Sequence, residues 1–306
     1  MSGRTLVVTG ANGFVGTHVA ALAAADGVRV IGIGRETEPS AALAPHADTY
    51  FAADLEATWP VDERVDAIVH LAGLAAVGPS FAEPQRYLNV NSGIMTTMCE
   101  TLLRSGHGTR VVVVSSGAVY SPPADGGAIA ENDALAPGSP YAVAKILVET
   151  QAAYYALRGL DTLVARPFNH IGPGQGPGFV VPDLTAALES LEPGSPMRVG
   201  NLQSARDFTD VRDVARAYLT LAFAPAHRHR LYNVASGQAH SAYEILAEIA
   251  TGLGRDIPTL EIDTARLRPD DPERVTGDSA RLRDEFGWAP QLDWRRSVAD
   301  FLAARA

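Results

Sequence analysis

Apolar and polar positions alternate in two different patterns along the first 170 residues. Short apolar runs predict strands at 5–10, 28–34, 48–55, 65–73, 109–116 and 161–169. Longer segments with helical spacing of apolar residues predict helices at 16–27, 84–106 and 140–159. Strands that alternate with helices in this way indicate a parallel sheet covered on both faces.

After residue 170 the pattern changes. Gly/Pro loops at 172–178 and 193–196 come first, then a strand followed by a helix at 205–224 and a returning strand at 230–236. The tail predicts two helices around an irregular stretch at 266–278. We therefore expect a main domain formed by 1–169 with about 206–236, and a smaller lobe formed by about 170–205 and 237–306.

Composition limits the classes of function. The 306 residues are 46% hydrophobic and 20% charged, which is typical of a globular protein. The net charge of −10 argues against a nucleic-acid-binding surface, so an anionic ligand would need a local cluster of donors. A single cysteine, Cys99, fits a reducing compartment. The sequence has neither an apolar run of membrane-spanning length nor a signal-peptide pattern, and we expect a cytoplasmic protein that does not bind membranes.

Three glycines, Gly10, Gly13 and Gly16, lie between the first predicted strand and the first predicted helix. Glycines at this point allow a tight turn and close approach of the backbone to a pyrophosphate, and the helix N-terminus supplies N–H donors. The strand–turn–helix setting therefore predicts a dinucleotide phosphate site.

The only lysine of the chain, Lys145, follows Tyr141 by four residues on a predicted helix. The two side chains share one face of that helix. An ammonium about 5 Å from a phenol, at an effective dielectric near 20, would lower the phenol pKa by about two. This brings Tyr141 within the range of a general acid–base. The end of the fifth strand offers two hydroxyl groups, Ser115 and Ser116, as a third member.

The G-x-x-G-x-x-G spacing and the Tyr–Lys pair resemble the extended branch of the short-chain dehydrogenase/reductase superfamily. The resemblance implies an α/β fold with a Rossmann-like, doubly wound parallel sheet and a smaller C-terminal substrate-binding lobe. It implies that Ser116, four residues before Tyr120, holds the reacting oxygen beside Tyr141 and Lys145. Ser115 would then pack or contact cofactor.

The same resemblance implies the dinucleotide contacts. They are Gly10, Gly13, Phe14, Val15, Gly16, Asp54, Leu55, Leu71, Ala72, Gly73 and Pro167. Arg35, at the exit of the second strand, would pair with a 2′-phosphate through its planar guanidinium. The neighbouring Glu36 would suit the ribose hydroxyls of NADH. We expect NADPH, with NADH possible.

The stretches 165–184, 204–218, 232–237 and 266–278 closely resemble GDP-4-keto-6-deoxy-D-mannose reductases and relatives that reduce 4-keto-6-deoxy sugars on other nucleotides. The substrate contacts that this implies are Asn169, Val180, Arg206 and Arg268. The two arginines would bind the diphosphate, with a surface ion pair as the alternative for each. Sugar 4,6-dehydratases carry acidic residues where this chain has Gly117 and Ala118, which argues against dehydration.

The expected activity is NAD(P)H-dependent reduction of the C4 ketone of a nucleotide-linked 4-keto-6-deoxyhexose. The alternatives are a nucleotide-hexose 4-epimerase, which would use the same three side chains, and a non-catalytic NAD(P)-sensing regulator. The resemblance also implies a homodimer built on the helices at 84–106 and 140–159. We expect no metal site, and we interpret the histidines of 227–230 as part of a solvated loop.

Overall fold

The structure is a computed structural model that describes residues 3–123, 126–192, 194–266 and 271–305. The strands, in chain order, are Thr5–Thr9 (β1), Arg29–Gly34 (β2), Thr49–Ala52 (β3), Ala67–His70 (β4), Arg110–Val114 (β5), Asp161–Pro167 (β6), Asn169–Ile171 (β7), Met197–Val199 (β8), Ala205–Asp210 (β9), Leu231–Val234 (β10), Ala239–Ser241 (β11), Leu260–Ile262 (β12) and Arg274–Val275 (β13).

The helices, in chain order, are Phe14–Ala25 (α1), Val77–Ser80 (α2), Pro84–Ser105 (α3), Pro140–Leu157 (α4), Val180–Glu189 (α5), Val211–Phe223 (α6), Ala242–Leu253 (α7), Ala280–Phe286 (α8) and Trp294–Ala303 (α9). Short 3-10 turns cover Gly117–Val119 and Thr264–Arg266. Within the described ranges, no helix combines the length and the apolar character that a membrane span requires.

Seven strands form the central sheet in the order β10-β6-β5-β4-β1-β2-β3, and all six pairings are parallel. Apolar clusters cover both faces, one contributed mainly by α1 and α6 and the other mainly by α3 and α4. The predicted parallel, doubly covered sheet is therefore confirmed. The chain reverses its direction of progress across the sheet between β1 and β4, and ligands bind beyond the carboxyl ends of strands at such a switch point.

A third apolar cluster joins α5, α7 and α9 around Val181, Ile245 and Phe301. Next to it, β9 pairs with β7, β11 and β13, and β8 pairs with β12. The division of the chain into a main domain and a smaller lobe stays a prediction.

Two details of the predicted elements are wrong. The third strand ends at Ala52 because the carbonyl of Asp54 accepts hydrogen bonds from Ala57 and Thr58 and so begins a turn. The described part of the tail contains three helices, α7, α8 and α9, where two were expected. The seven-residue α8 ends at Gly287, which has φ +67°, and α9 starts after Asp293, whose side chain accepts from the Arg296 N–H.

Two buried polar side chains hold distant segments together. The amide of Asn233 in β10 accepts from the Tyr120 hydroxyl at 2.7 Å and donates to the carbonyls of Ile129 and Asp278 at 2.9 and 3.1 Å. The carboxylate of Asp207 in β9 accepts from the Ser236 hydroxyl and from the backbone N–H groups of Ser236, Gly237 and Gly277. These bonds attach the tail and the loop after β10 to the sheets.

Candidate active site

The ends of β1 and β4 are joined by one hydroxyl. Thr9 Oγ1 accepts hydrogen bonds from the N–H groups of Leu71 and Ala72, both at 3.1 Å, and lies 2.9 Å from Nδ1 of His70. Burial, with a smaller contribution from the charge of Lys145, lowers the pKa of His70 to about 3. The His70 ring is therefore neutral. Because Thr9 Oγ1 already accepts two hydrogen bonds, the Thr9 hydroxyl donates its own hydrogen bond to Nδ1 of His70.

The glycines of the first turn leave a cradle that a Cβ would fill. Gly10 has φ +66°, and a Cβ there would lie 3.0 Å from the backbone N of Ala72. A Cβ on Gly16 would overlap the carbonyl oxygen of Gly10 and lie 2.8 Å from that of Ala11. Gly13 caps α1 without a side chain, which leaves the first N–H groups of the helix free for a ligand. These residues fit a dinucleotide pyrophosphate.

The other predicted dinucleotide contacts begin α1 or lie at or just after the carboxyl ends of the strands of the central sheet. Phe14 and Val15 begin α1 and are partly buried, and Leu71, Ala72 and Gly73 follow β4 directly. Leu55 is buried after β3, whereas Asp54 is exposed, and Pro167 is buried at the end of β6.

The exit of β2 carries both an arginine and a carboxylate. Arg35 is 58% exposed and makes a long ion pair of 3.8 Å with Glu56. Glu36 accepts from the Asn12 amide at 3.0 Å, beside the glycine turn. Its own backbone N–H and Asn12 hold the pKa of Glu36 below its usual value. The structure therefore places a cation and an anion at the same strand end.

The three predicted catalytic side chains are brought together by β5 and α4. Ser139 caps α4 by accepting from the Ala142 N–H, which places Tyr141 and Lys145 on the face toward the sheet. Lys145 is 9% exposed and its Nζ donates to the carbonyl of Val114 at 2.8 Å, while lying 5.9 Å from the Tyr141 ring centre. The Ser116 side chain lies close enough to the Tyr141 hydroxyl to lower its pKa.

The electrostatics differ from the expectation at Tyr141. Burial is the largest influence and raises the pKa of Tyr141, a hydrogen bond with Ser116 lowers it by less, and Tyr141 is only 7% exposed. The expected lowering by Lys145 is therefore wrong for this state, because desolvation of the phenolate outweighs it. Burial also lowers the pKa of Lys145, to about 8, while Glu149 raises it.

Glu149 and Arg166 were not singled out from the sequence. Arg166 Nε and Nη2 donate to Oε1 and Oε2 of Glu149 at 2.8 and 2.5 Å, and Ser115 donates to Oε1 as well. Ser115 is thus buried and packs, which was one of its two expected roles. An acidic residue four positions after the lysine is the signal that would have indicated Glu149.

The predicted substrate residues lie on separate elements, of which two, β7 and β9, pair with each other. Asn169 is exposed at the start of β7, and Val180 is the first residue of α5. Arg206 donates to Asp271 Oδ1 at 2.6 Å and to the carbonyls of Ala205 and Pro272, so in this state it is engaged in an ion pair. Arg268 lies outside the described residues.

The remaining histidines lie in well-defined surroundings. His170 stacks on Phe14 with ring centres 6.0 Å apart, and burial lowers the pKa of His170. His227 Nε2 lies 2.9 Å from Asp161 Oδ1. Over the part of the chain that the structure describes, no group of three or more His, Cys, Asp or Glu side chains is placed to hold a metal ion.

Comparisons with known proteins show the family of this chain. The sequence model of the NAD dependent epimerase/dehydratase family matches residues 6–235. GDP-6-deoxy-D-mannose reductase of Pseudomonas aeruginosa is 34% identical over 98% of this chain and 96% of its own. UDP-glucose 4-epimerase of Azospirillum brasilense is 28% identical over 96% of this chain and 92% of its own.

Solved structures give the same result. RMD from Pseudomonas aeruginosa, complexed with NADPH, is similar with a TM-score of 0.82 and 31% identity, and the match covers 98% of each chain. UDP-glucose 4-epimerase of Thermus thermophilus, in complex with NAD, has a TM-score of 0.83 at 25% identity over 98% of each chain. The family expected from the glycine spacing and the Tyr–Lys pair is confirmed.

Proposed function

We propose that this chain, which belongs to the NAD dependent epimerase/dehydratase family of extended short-chain dehydrogenases/reductases, reduces the C4 ketone of a nucleotide-linked 4-keto-6-deoxyhexose. The observation that carries the proposal is the cluster of Ser116, Tyr141 and Lys145 beside the glycine cradle. The likeness to a GDP-6-deoxy-D-mannose reductase over nearly the whole chain supports this substrate class.

The roles follow from the geometry. When bound, a reduced nicotinamide supplies the hydride for the ketone carbon. Ser116, whose side chain lies close to Tyr141, holds the ketone oxygen, and Tyr141 gives that oxygen its proton. Because burial raises the pKa of Tyr141, the phenol stays protonated at neutral pH, which suits a proton donor in the direction of reduction. Lys145 adds a buried positive charge close to Tyr141 that favours the phenolate left after transfer.

We propose NADPH as the preferred cofactor and NADH as an accepted one. Arg35 is exposed, and its ion pair with Glu56 is long, at 3.8 Å. The guanidinium can therefore turn away from Glu56 to bind a 2′-phosphate. Glu36 argues for NADH because its carboxylate would accept from ribose hydroxyls and repel a phosphate. Arg35→Ala should raise the KM for NADPH about 10-fold and leave that for NADH nearly unchanged. Equal effects on both cofactors would contradict this role of Arg35.

The substrate site is proposed to include Asn169, Val180, Arg206 and Arg268. Arg206 would have to exchange Asp271 for the substrate diphosphate, since a carboxylate and a phosphate both offer a pair of anionic oxygens to the guanidinium. Arg206→Gln should therefore raise the KM for the nucleotide sugar more than it lowers kcat, as measured by initial rates.

The test of the function is a panel of GDP-, dTDP- and UDP-linked 4-keto-6-deoxyhexoses with NADPH or NADH. A reductase consumes one cofactor per sugar reduced. With the corresponding 4-hydroxy nucleotide hexoses as substrates, interconversion of C4 epimers without net cofactor consumption would instead identify a 4-epimerase, which the similarity to UDP-glucose 4-epimerases keeps as the second candidate. Cofactor binding without turnover of any sugar would indicate an NAD(P)-sensing regulator.

We also propose a homodimer built on α3 and α4. Val143, Leu147, Tyr154 and Leu157 are exposed along α4, and Phe81 is exposed beside α3. A row of exposed apolar side chains marks an interaction surface. Size-exclusion chromatography with light scattering should give twice the chain mass for the wild type. Leu147→Glu should give monomers. A wild-type monomer would contradict the proposal. A cytoplasmic location stays a prediction.

A further inference from the structure

A buried carboxylate lies one helical turn beyond the catalytic lysine. Glu149 follows Lys145 by four residues on α4, so the two side chains share one face of the helix. The side chain of Glu149 is 11% exposed and that of its partner Arg166 is 4% exposed. Both carboxylate oxygens accept from the guanidinium, and Oε1 also accepts from Ser115. The group is therefore held by three hydrogen bonds from two side chains.

Each partner of Glu149 is adjacent to a residue of the site. Ser115 lies between Val114, whose carbonyl accepts from Lys145, and Ser116, whose side chain lies close to Tyr141. Arg166 precedes Pro167, the last residue of β6. The carboxylate of Glu149 thus fastens the ends of β5 and β6 to the helix that carries the proton donor.

Glu149 also balances charge around Lys145. The titratable and charged groups around the ammonium come from four elements. His70 on β4 and Tyr141 and Glu149 on α4 interact with it, while Tyr87 on α3 packs against Tyr141 and Arg166 on β6 pairs with Glu149. His70 is neutral, the two tyrosines are protonated, and Arg166 carries a positive charge. Among these described groups, Glu149 is the one that carries a negative charge.

We propose that Glu149 is a positioning residue of the active site, which fixes Ser116 relative to Tyr141 through Ser115 and supplies the negative charge that keeps the buried Lys145 protonated. The inference rests on the proposed function in one respect: it takes C4 reduction as the reaction in which Lys145 takes part.

The single lysine allows a direct measurement without substrate. Protein grown with ¹³Cε-labelled lysine has one labelled position, so its NMR titration reports Lys145 alone. In the wild type the pKa of Lys145 should be about 8. In Glu149→Gln it should fall by roughly one to two, because an opposite charge one turn away is lost. Glu149→Asp, which keeps the charge, should stay near the wild-type value.

A second variant separates the effect of the lost charge from an effect of misfolding. Glu149→Gln alone leaves Arg166 buried without its partner, so Glu149→Gln with Arg166→Met removes both charges. Its Lys145 pKa should fall in the same direction by less. Asp161→Asn is the matched control, because Asp161 pairs with Arg110 at 2.7 Å and joins β5 to β6 at their opposite ends. It should leave the Lys145 titration unchanged.

The pH dependence of the hydride-transfer rate supplies a second measurement. The alkaline fall of the hydride-transfer rate should move to lower pH in Glu149→Gln and stay in place in Glu149→Asp. An unchanged Lys145 titration in both Glu149→Gln and the double variant overturns the inference, whatever their rates. If no 4-keto sugar is reduced by the wild type, the proposed function fails, while the NMR titration still decides the role of Glu149.

Discussion

Replacing Tyr141 with Phe removes one oxygen atom from a buried ring and leaves the rest of α4 intact. The lost hydroxyl is the proposed proton donor and the partner of Ser116. A positioned general acid contributes about 10²- to 10⁴-fold to a rate, which is roughly 3–5 kcal/mol in the barrier. The same change costs little stability, since even a complete hydrogen bond contributes only about 1 kcal/mol. Activity should therefore collapse while the fold persists.

The chain offers a matched control at Tyr218. This side chain of α6 is fully buried, and its hydroxyl has no hydrogen-bond partner within the described residues. Tyr218→Phe should therefore keep kcat within about twofold and leave the stability unchanged or slightly higher. Both variants lose the same atom from a buried phenol, so they differ only in what that hydroxyl contacts.

The assay is single-turnover oxidation of NADPH by the best sugar of the panel, with stability from urea unfolding. Hydride transfer in Tyr141→Phe should be slower by two to four orders of magnitude, with cofactor affinity retained. A Tyr141→Phe enzyme that keeps more than about a third of the wild-type rate would refute the role of Tyr141 as proton donor.

Three further predictions follow from the same contacts. Gly16→Ala should weaken cofactor binding by about 10- to 100-fold, because the new Cβ meets backbone oxygens that cannot move aside. Gly78→Ala, at a glycine with open space around it, should leave cofactor binding unchanged. Fluorescence titration with the cofactor measures both affinities. Lys145→Arg should remove most activity with the fold retained, and the wild-type rate should fall as pH rises through about 8, because the required ammonium is present below that pKa and lost above it. Asp207→Ala should lower the unfolding free energy by about 3 kcal/mol or more, since it leaves three backbone N–H groups without an acceptor; an unchanged urea midpoint would contradict this.

Local patterns predicted the elements of the central sheet well. Pro84 and Gly106 bound α3, and Ser139 and Pro140 start α4, within a residue or two of the expected positions. These signals are local, since a cap or a proline acts on its own turn. The strand order was not available from the pattern, because it depends on which strands pair after the helices have packed.

The same distinction between local and long-range contacts applies to the active site. The pair of Tyr141 and Lys145 could be predicted because both lie on one helix. The ion pair of Glu149 and Arg166 could not, because it joins α4 to β6 only in the folded chain. The direction of the Tyr141 pKa was wrong for a related reason: a sequence gives the distance between neighbouring charges but not the desolvation of a ring at 7% exposure.

The hydrogen bonds of Asn233 have a consequence for the order of folding. They join residues separated by 45, 102, 104 and 113 positions along the chain. Closing loops of this length is entropically unfavourable and slow, so contacts of this kind form after the local βα units. We expect substitutions at Asn233 to accelerate unfolding while leaving the refolding rate nearly unchanged.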